Sequence, residues 1–134
     1  MGAWAEFLRH EGITDPADLD GVRRSLWVVE LPEEGYARPG VPMRTLTGGL
    51  GSYATCQAEA RRLRDGGATR LEAPAAAVKP GTARGWIASP GTMPAAEPRD
   101  GTVRVLFGPC ATIGWPAVVA GAPPAKVLPL VRAL

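Results

Sequence analysis

The chain has 134 residues, 46% of them apolar, which is enough for one buried core and too hydrophobic for disorder. Its net charge is +2, and its nearest basic cluster, Arg61, Arg62 and Arg64, is interleaved with apolar residues like the solvated face of a helix, so a nucleic-acid footprint is not expected. The longest uncharged stretch, Pro109 to Ala125, is broken by Gly and Pro, and Met1 to Glu6 lacks the basic and apolar runs of a signal peptide, so neither a membrane span nor export is expected and the cytoplasm is the expected compartment.

Trp4, Phe7 and Leu8 recur at helical spacing, with Gly12 as a stop, so the chain is expected to start inside a helix. That abrupt start predicts a domain that is incomplete at its N-terminus, with an exposed apolar face or an unpaired strand edge where the preceding elements would lie. Asp15-Pro16-Ala17-Asp18 reads as a second, short helix start, with a carboxylate cap and Pro at the first helical position, ending near Arg24. Ser25 to Leu31 is the first clear strand, closed by Pro32. Glu33 to Gly51, with two Pro and five Gly, reads as loop.

Ser52 is placed to cap a helix over Tyr53 to Asp65. Its apolar stripe is Tyr53, Cys56, Ala60 and Leu63, its outer face carries Glu59, Arg61, Arg62 and Asp65, and Gly66-Gly67 ends it. Thr69 to Ala73 is a short strand stopped by Pro74, and Thr102 to Phe107 is the strongest strand in the chain. Between them, Lys79 to Asp100 is mostly loop, with a short extended piece at Trp86-Ile87. Trp115 to Val119 and Lys126 to Val131 read as strands, or as a strand and a terminal helix. The sum is a single α+β domain over residues 1–134, a small mixed or antiparallel sheet with flanking helices.

Few residues offer chemistry. Gly49-Leu50-Gly51-Ser52-Tyr53-Ala54 fits GxGxxA, but a dinucleotide fingerprint needs a buried strand directly before it, and Pro39 to Thr47 has none. Ser25, Ser52 and Ser89 lack a nucleophile-elbow context, and Cys56 and Cys110 read as buried thiols. With one His and two scattered Cys, no metal site is expected. Glu6, in an otherwise apolar helix, either points to solvent or sits in a pocket with a task.

Three stretches carry a resemblance. Trp4-Ala5-Glu6-Phe7-Leu8-Arg9 with the strand at Arg24 to Val29, then Tyr53-Ala54-Thr55-Cys56-Gln57-Ala58 leading to Leu71-Glu72-Ala73-Pro74-Ala75-Ala76, then Val105-Leu106-Phe107-Gly108 with Gly114-Trp115, resemble in order and spacing the latter two-thirds of a RES domain. The resemblance covers essentially the whole chain. It implies an ADP-ribosyltransferase-like fold and a toxin–antitoxin lineage that consumes NAD as substrate by breaking its nicotinamide–ribose bond. A carboxylate beside the ribose would stabilise the positive charge that builds there, an Arg would hold the diphosphate, and a Ser would orient the nucleotide.

Carried over by position, Glu6 takes the carboxylate role and Ala75 stands where the family has Ser, without the hydroxyl. Tyr53 and Gln57 are expected to line the same cleft as NAD-binding residues. The family's Arg belongs to a preceding segment that these residues do not match. Arg9, Arg23 and Arg24 follow Glu6 and so do not fill its position. The implied activity is therefore weak or absent. A cognate antitoxin protein or a second copy of the chain is the implied partner, and a non-catalytic, protein-binding remnant is the alternative. Glu6 and Ala75 are expected to face one cleft.

Overall fold

A computed structural model describes residues 1–85, 87, 90–92, 94–108 and 113–132. The order is α1 (Gly2–His10), β1 (Arg24–Glu30), α2 (Met43–Leu46), α3 (Tyr53–Asp65), β2 (Arg70–Pro74), β3 (Thr102–Leu106) and β4 (Ile113–Gly121), with short 3-10 turns at Pro16–Leu19, Leu50–Ser52 and Ala125–Leu130. The chain is α+β, with two separate antiparallel pairs, β1 with β4 and β2 with β3. The element directly ahead of Gly49 is the helical turn at Met43–Leu46 and not a strand, and the sheets are antiparallel, which removes the dinucleotide-fingerprint reading.

The core forms where α1 lays Trp4, Ala5 and Leu8 against Ala75, Ala77 and Val78, just after β2, and Val127 of the last 3-10 turn. Spacing of one and four residues puts these three α1 side chains on one face. Leu8 and Val127 are fully buried. The tail is held by Arg132 N–H donating to Ala77 O at 2.7 Å and by the Val78–Val131 bridge. Gly101 packs so closely that a Cβ there would stand 2.8 Å from the Ala75 Cβ.

Several boundaries follow the sequence. Asp15 Oδ1 accepts the Ala17 N–H at 2.8 Å, the anticipated carboxylate cap, but the element it opens is one 3-10 turn ending at Leu19 and not a helix reaching Arg24. Gly67 takes φ +91° just beyond the end of α3, a conformation that suits glycine. Ser52 does not cap α3: its hydroxyl donates back to Gly49 O at 2.8 Å. The α3 faces also differ from the expected stripe, since Glu59 is the buried residue and Tyr53 is exposed. Glu59 is drawn inward because it accepts the Gly40 N–H at 2.6 Å and both Arg62 nitrogens at 2.6 and 2.7 Å. That clasp ties the loop before α2 to α3. Of the two readings of Lys126 to Val131, the structure takes the helical one, as a 3-10 turn over Ala125–Leu130. Cys110, Ser89 and Trp86 lie outside the described residues.

The surface measures 9000 Å², against roughly 6,700 Å² for a compact chain of this mass. Trp27, 63% exposed, and Met43 and Leu50 contribute to it. Among the described residues, no helix is long and apolar enough to cross a membrane.

Candidate functional site

Glu6, Arg9 and His10 are spaced by three and four residues, so they share one face of α1. On α3, Tyr53, Cys56, Gln57 and Ala60 repeat the same spacing. These two stripes line a cavity of about 530 Å³ whose floor includes Leu71, Ala73, Val103 and Val105 of the β2–β3 pair. The loop between α2 and α3 closes one side. It is anchored by the buried Arg9, whose Nη2 donates to Gly48 O at 2.9 Å, and by Cys56 Sγ, which lies 3.5 Å from Thr45 O. Gly48 has no space for a side chain, since a Cβ would meet Ser52 Oγ at 2.9 Å and Arg44 O at 3.0 Å.

Glu6 is half-buried, and its Oε1 has no hydrogen-bond partner among the described residues. A buried carboxylate oxygen left unpaired is costly unless something completes it. Glu6 therefore does not take the solvated reading available from sequence. Tyr53 and Gln57 line its cavity, as anticipated.

Ala75 does not. It is buried, its N–H donates to Gly101 O at 2.8 Å, and it lines a neighbouring cavity of about 640 Å³. Glu6 and Ala75 line adjoining cavities: β2 ends at Pro74, and where the chain bends beyond it Ala75 lines the second cavity while Ala76 reaches the Glu6 cavity. The two positions lie on adjoining sides of one wall, because Pro39, Leu46, Ala73 and Pro74 line both spaces. The neighbouring cavity is the more charged, with Arg38, Glu72, Asp100 and Arg132 around it.

Arg9, set aside from sequence as a stand-in for the family's Arg, and His10, given no role, both share the Glu6 cavity. Their signal was the helical spacing from Glu6 itself. Arg132 carried no local signal, since only the folding back of the tail brings it to the second cavity. Among the described residues, no group of three or more His, Cys, Asp or Glu side chains gathers as metal ligands would.

No family model matches the chain, and neither a curated protein nor a solved structure matches it.

Proposed function

We propose that this chain is a RES-type, ADP-ribosyltransferase-like domain of a toxin–antitoxin lineage, acting in the cytoplasm, whose Glu6 cavity takes NAD and breaks its nicotinamide–ribose bond slowly. The observation that carries the reading is Glu6, which lines a cavity of about 530 Å³ together with Tyr53 and Gln57 and keeps one buried carboxylate oxygen unpartnered among the described residues. That volume lies in the range of small-molecule sites. In the proposed reaction the C–N bond to nicotinamide breaks first, and the ribose develops oxocarbenium character. The Glu6 carboxylate stabilises that charge and accepts a ribose hydroxyl. Water then attacks the ribose carbon and loses a proton, giving ADP-ribose, nicotinamide and H⁺. Tyr53 offers a ring to the nicotinamide, and Gln57 an amide to its carboxamide or to a ribose hydroxyl.

Slow turnover follows from Ala75, which provides no hydroxyl at the family's Ser position to orient the nucleotide. A poorly positioned substrate costs up to ~10² in rate. The test is incubation of the purified chain with NAD, following nicotinamide by chromatography. Slow release that Glu6→Gln abolishes and Ala75→Ser raises by about tenfold supports the reading. Release unaffected by Glu6→Gln overturns it.

The second reading, a non-catalytic domain that binds a protein partner such as an antitoxin or another copy of itself, draws on Ala75 and on the exposed Trp27, Met43 and Leu50. NAD that neither binds nor is cleaved, together with a stable complex blocked by Trp27→Ala, would favour it.

A further inference from the structure

The two cavities meet across one thin wall, the end of β2 at Ala73-Pro74 with Pro39 and Leu46 opposite. Their chemistry differs. The Glu6 side is walled largely by apolar groups, while the other side holds two guanidiniums from distant parts of the chain, Arg38 from the loop before α2 and Arg132 from the tail. Two carboxylates stand there as well. Glu72 is engaged by Arg104 at 3.0 Å and approached by Arg38 at 3.7 Å, and Asp100 Oδ1 accepts the Gly81 N–H at 2.8 Å. Three guanidiniums, Arg38, Arg104 and Arg132, thus stand against the two carboxylates Glu72 and Asp100, which leaves the space with a net positive charge.

Arg132 is the better placed of the two arginines. Arg38 is 83% exposed. Arg132 is half-buried, its backbone is fixed to Ala77, and among the described residues its guanidinium donates through Nη2, to Val78 O at 3.3 Å. A guanidinium has five N–H donors, so it retains capacity for a ligand.

We propose that the two cavities are halves of a single cleft, and that Arg132, assisted by Arg38, binds the diphosphate of the dinucleotide whose nicotinamide ribose lies beside Glu6. This rests on the NAD reading above and draws the diphosphate cation from the tail of the chain, far in sequence from α1 and its Glu6 face. Ala75 then lies on the diphosphate side of the wall, where a hydroxyl would reach a phosphate or the adenosine ribose rather than the bond that breaks.

Calorimetric titration with two probes, ADP-ribose and nicotinamide riboside, tests the assignment on wild type, Arg132→Gln, Arg132→Lys and Glu6→Gln. Loss of one charge-assisted hydrogen-bonding group at a half-buried site should weaken ADP-ribose about tenfold. Arg132→Lys should recover part of that loss. Nicotinamide riboside should bind Arg132→Gln as it binds wild type, which also shows that the variant is folded, and should weaken in Glu6→Gln. ADP-ribose affinity unchanged by Arg132→Gln, with nicotinamide riboside still sensitive to Glu6→Gln, overturns the diphosphate assignment and spares the NAD reading. Arg132-dependent ADP-ribose binding without any nicotinamide riboside binding does the reverse. Binding of neither probe to wild type overturns both.

Discussion

The β2–β3 and β1–β4 pairs have the same antiparallel pattern and opposite circumstances. β2 and β3 are five residues each and pair without interruption from Arg70–Leu106 to Pro74–Thr102. Leu71 is buried, Ala37 adds a bridge to it, and Glu72 meets Arg104 across the strands. Tyr36 lies between Arg70 and Arg104, whose guanidinium carbons are 5.5 and 4.7 Å from its ring centre. β1 and β4 are longer, seven and nine residues, but their register slips between Leu26 and Val28, and Trp27 and Val29 are exposed. From β1, Leu26 reaches the core. Length of pairing is thus a poor guide to anchorage. The shorter pair is held because helices, a loop and the core converge on it, and it is the shorter pair that floors the Glu6 cavity.

The contrast can be broken by truncation. Leu71→Ala should destabilise the chain by about 2–5 kcal/mol, the range for emptying a buried leucine site, whereas Trp27→Ala should fall within about 0.5 kcal/mol. Urea denaturation of both variants checks this, and equal losses would mean that the β1–β4 pair is anchored as firmly. A matched pair of glycines gives a smaller effect. In Gly101→Ala the new methyl meets the Ala75 and Val78 Cβ atoms at 2.8 and 3.4 Å, and overpacking of that kind costs about 1–3 kcal/mol. Gly121→Ala, in β4, meets nothing within 4 Å and should be neutral or stabilising by up to about 1 kcal/mol. Thermal unfolding of the two variants should therefore shift in different directions or by clearly different amounts.

A third effect appears only in acid. The Arg62 side chain, then the Gly40 N–H, hold the Glu59 carboxyl down from its ordinary 4.5 to about 2. The unfolded chain takes up this proton first, so the stability that Glu59 contributes is whole above about pH 4.5 and is lost as pH falls toward 2. Glu59→Gln should remove that part of the acid slope in a series of denaturation curves. The smallest effect belongs to the cross-strand pair. Arg104→Gln or Glu72→Gln should cost about 0.2–1 kcal/mol, because both side chains are partly exposed. A double-mutant cycle would isolate the term.

Periodicity was enough to find α1, β1, α3, β2 and β3, because each carries its pattern within its own residues. The helical turn at Met43–Leu46 was hidden among Pro and Gly, and it packs on α3 and β2, partners that its own four residues do not announce. The reversal at Glu59 could not be read either: a carboxylate on a polar stripe looks solvated until a loop nineteen residues away presents its N–H. At the candidate site, a resemblance in motif order pointed to Glu6, Tyr53 and Gln57, and all three line one cavity. That Ala75 lines the adjoining cavity could not be read from sequence, because it depends on how the chain bends after β2 ends at Pro74.

The Glu59 clasp has a consequence for how such a chain varies over evolutionary time. Gly40 offers its N–H at 2.6 Å, and a methyl there would sit 3.4 Å from the same Glu59 oxygen, while Arg62 holds that carboxylate from the other side. Neither Glu59 nor Arg62 is well replaced alone, since losing either strands the other, whereas Gly40 contributes a backbone N–H that any residue but proline supplies. In descendants of this sequence, positions 59 and 62 should therefore change together while position 40 excludes proline.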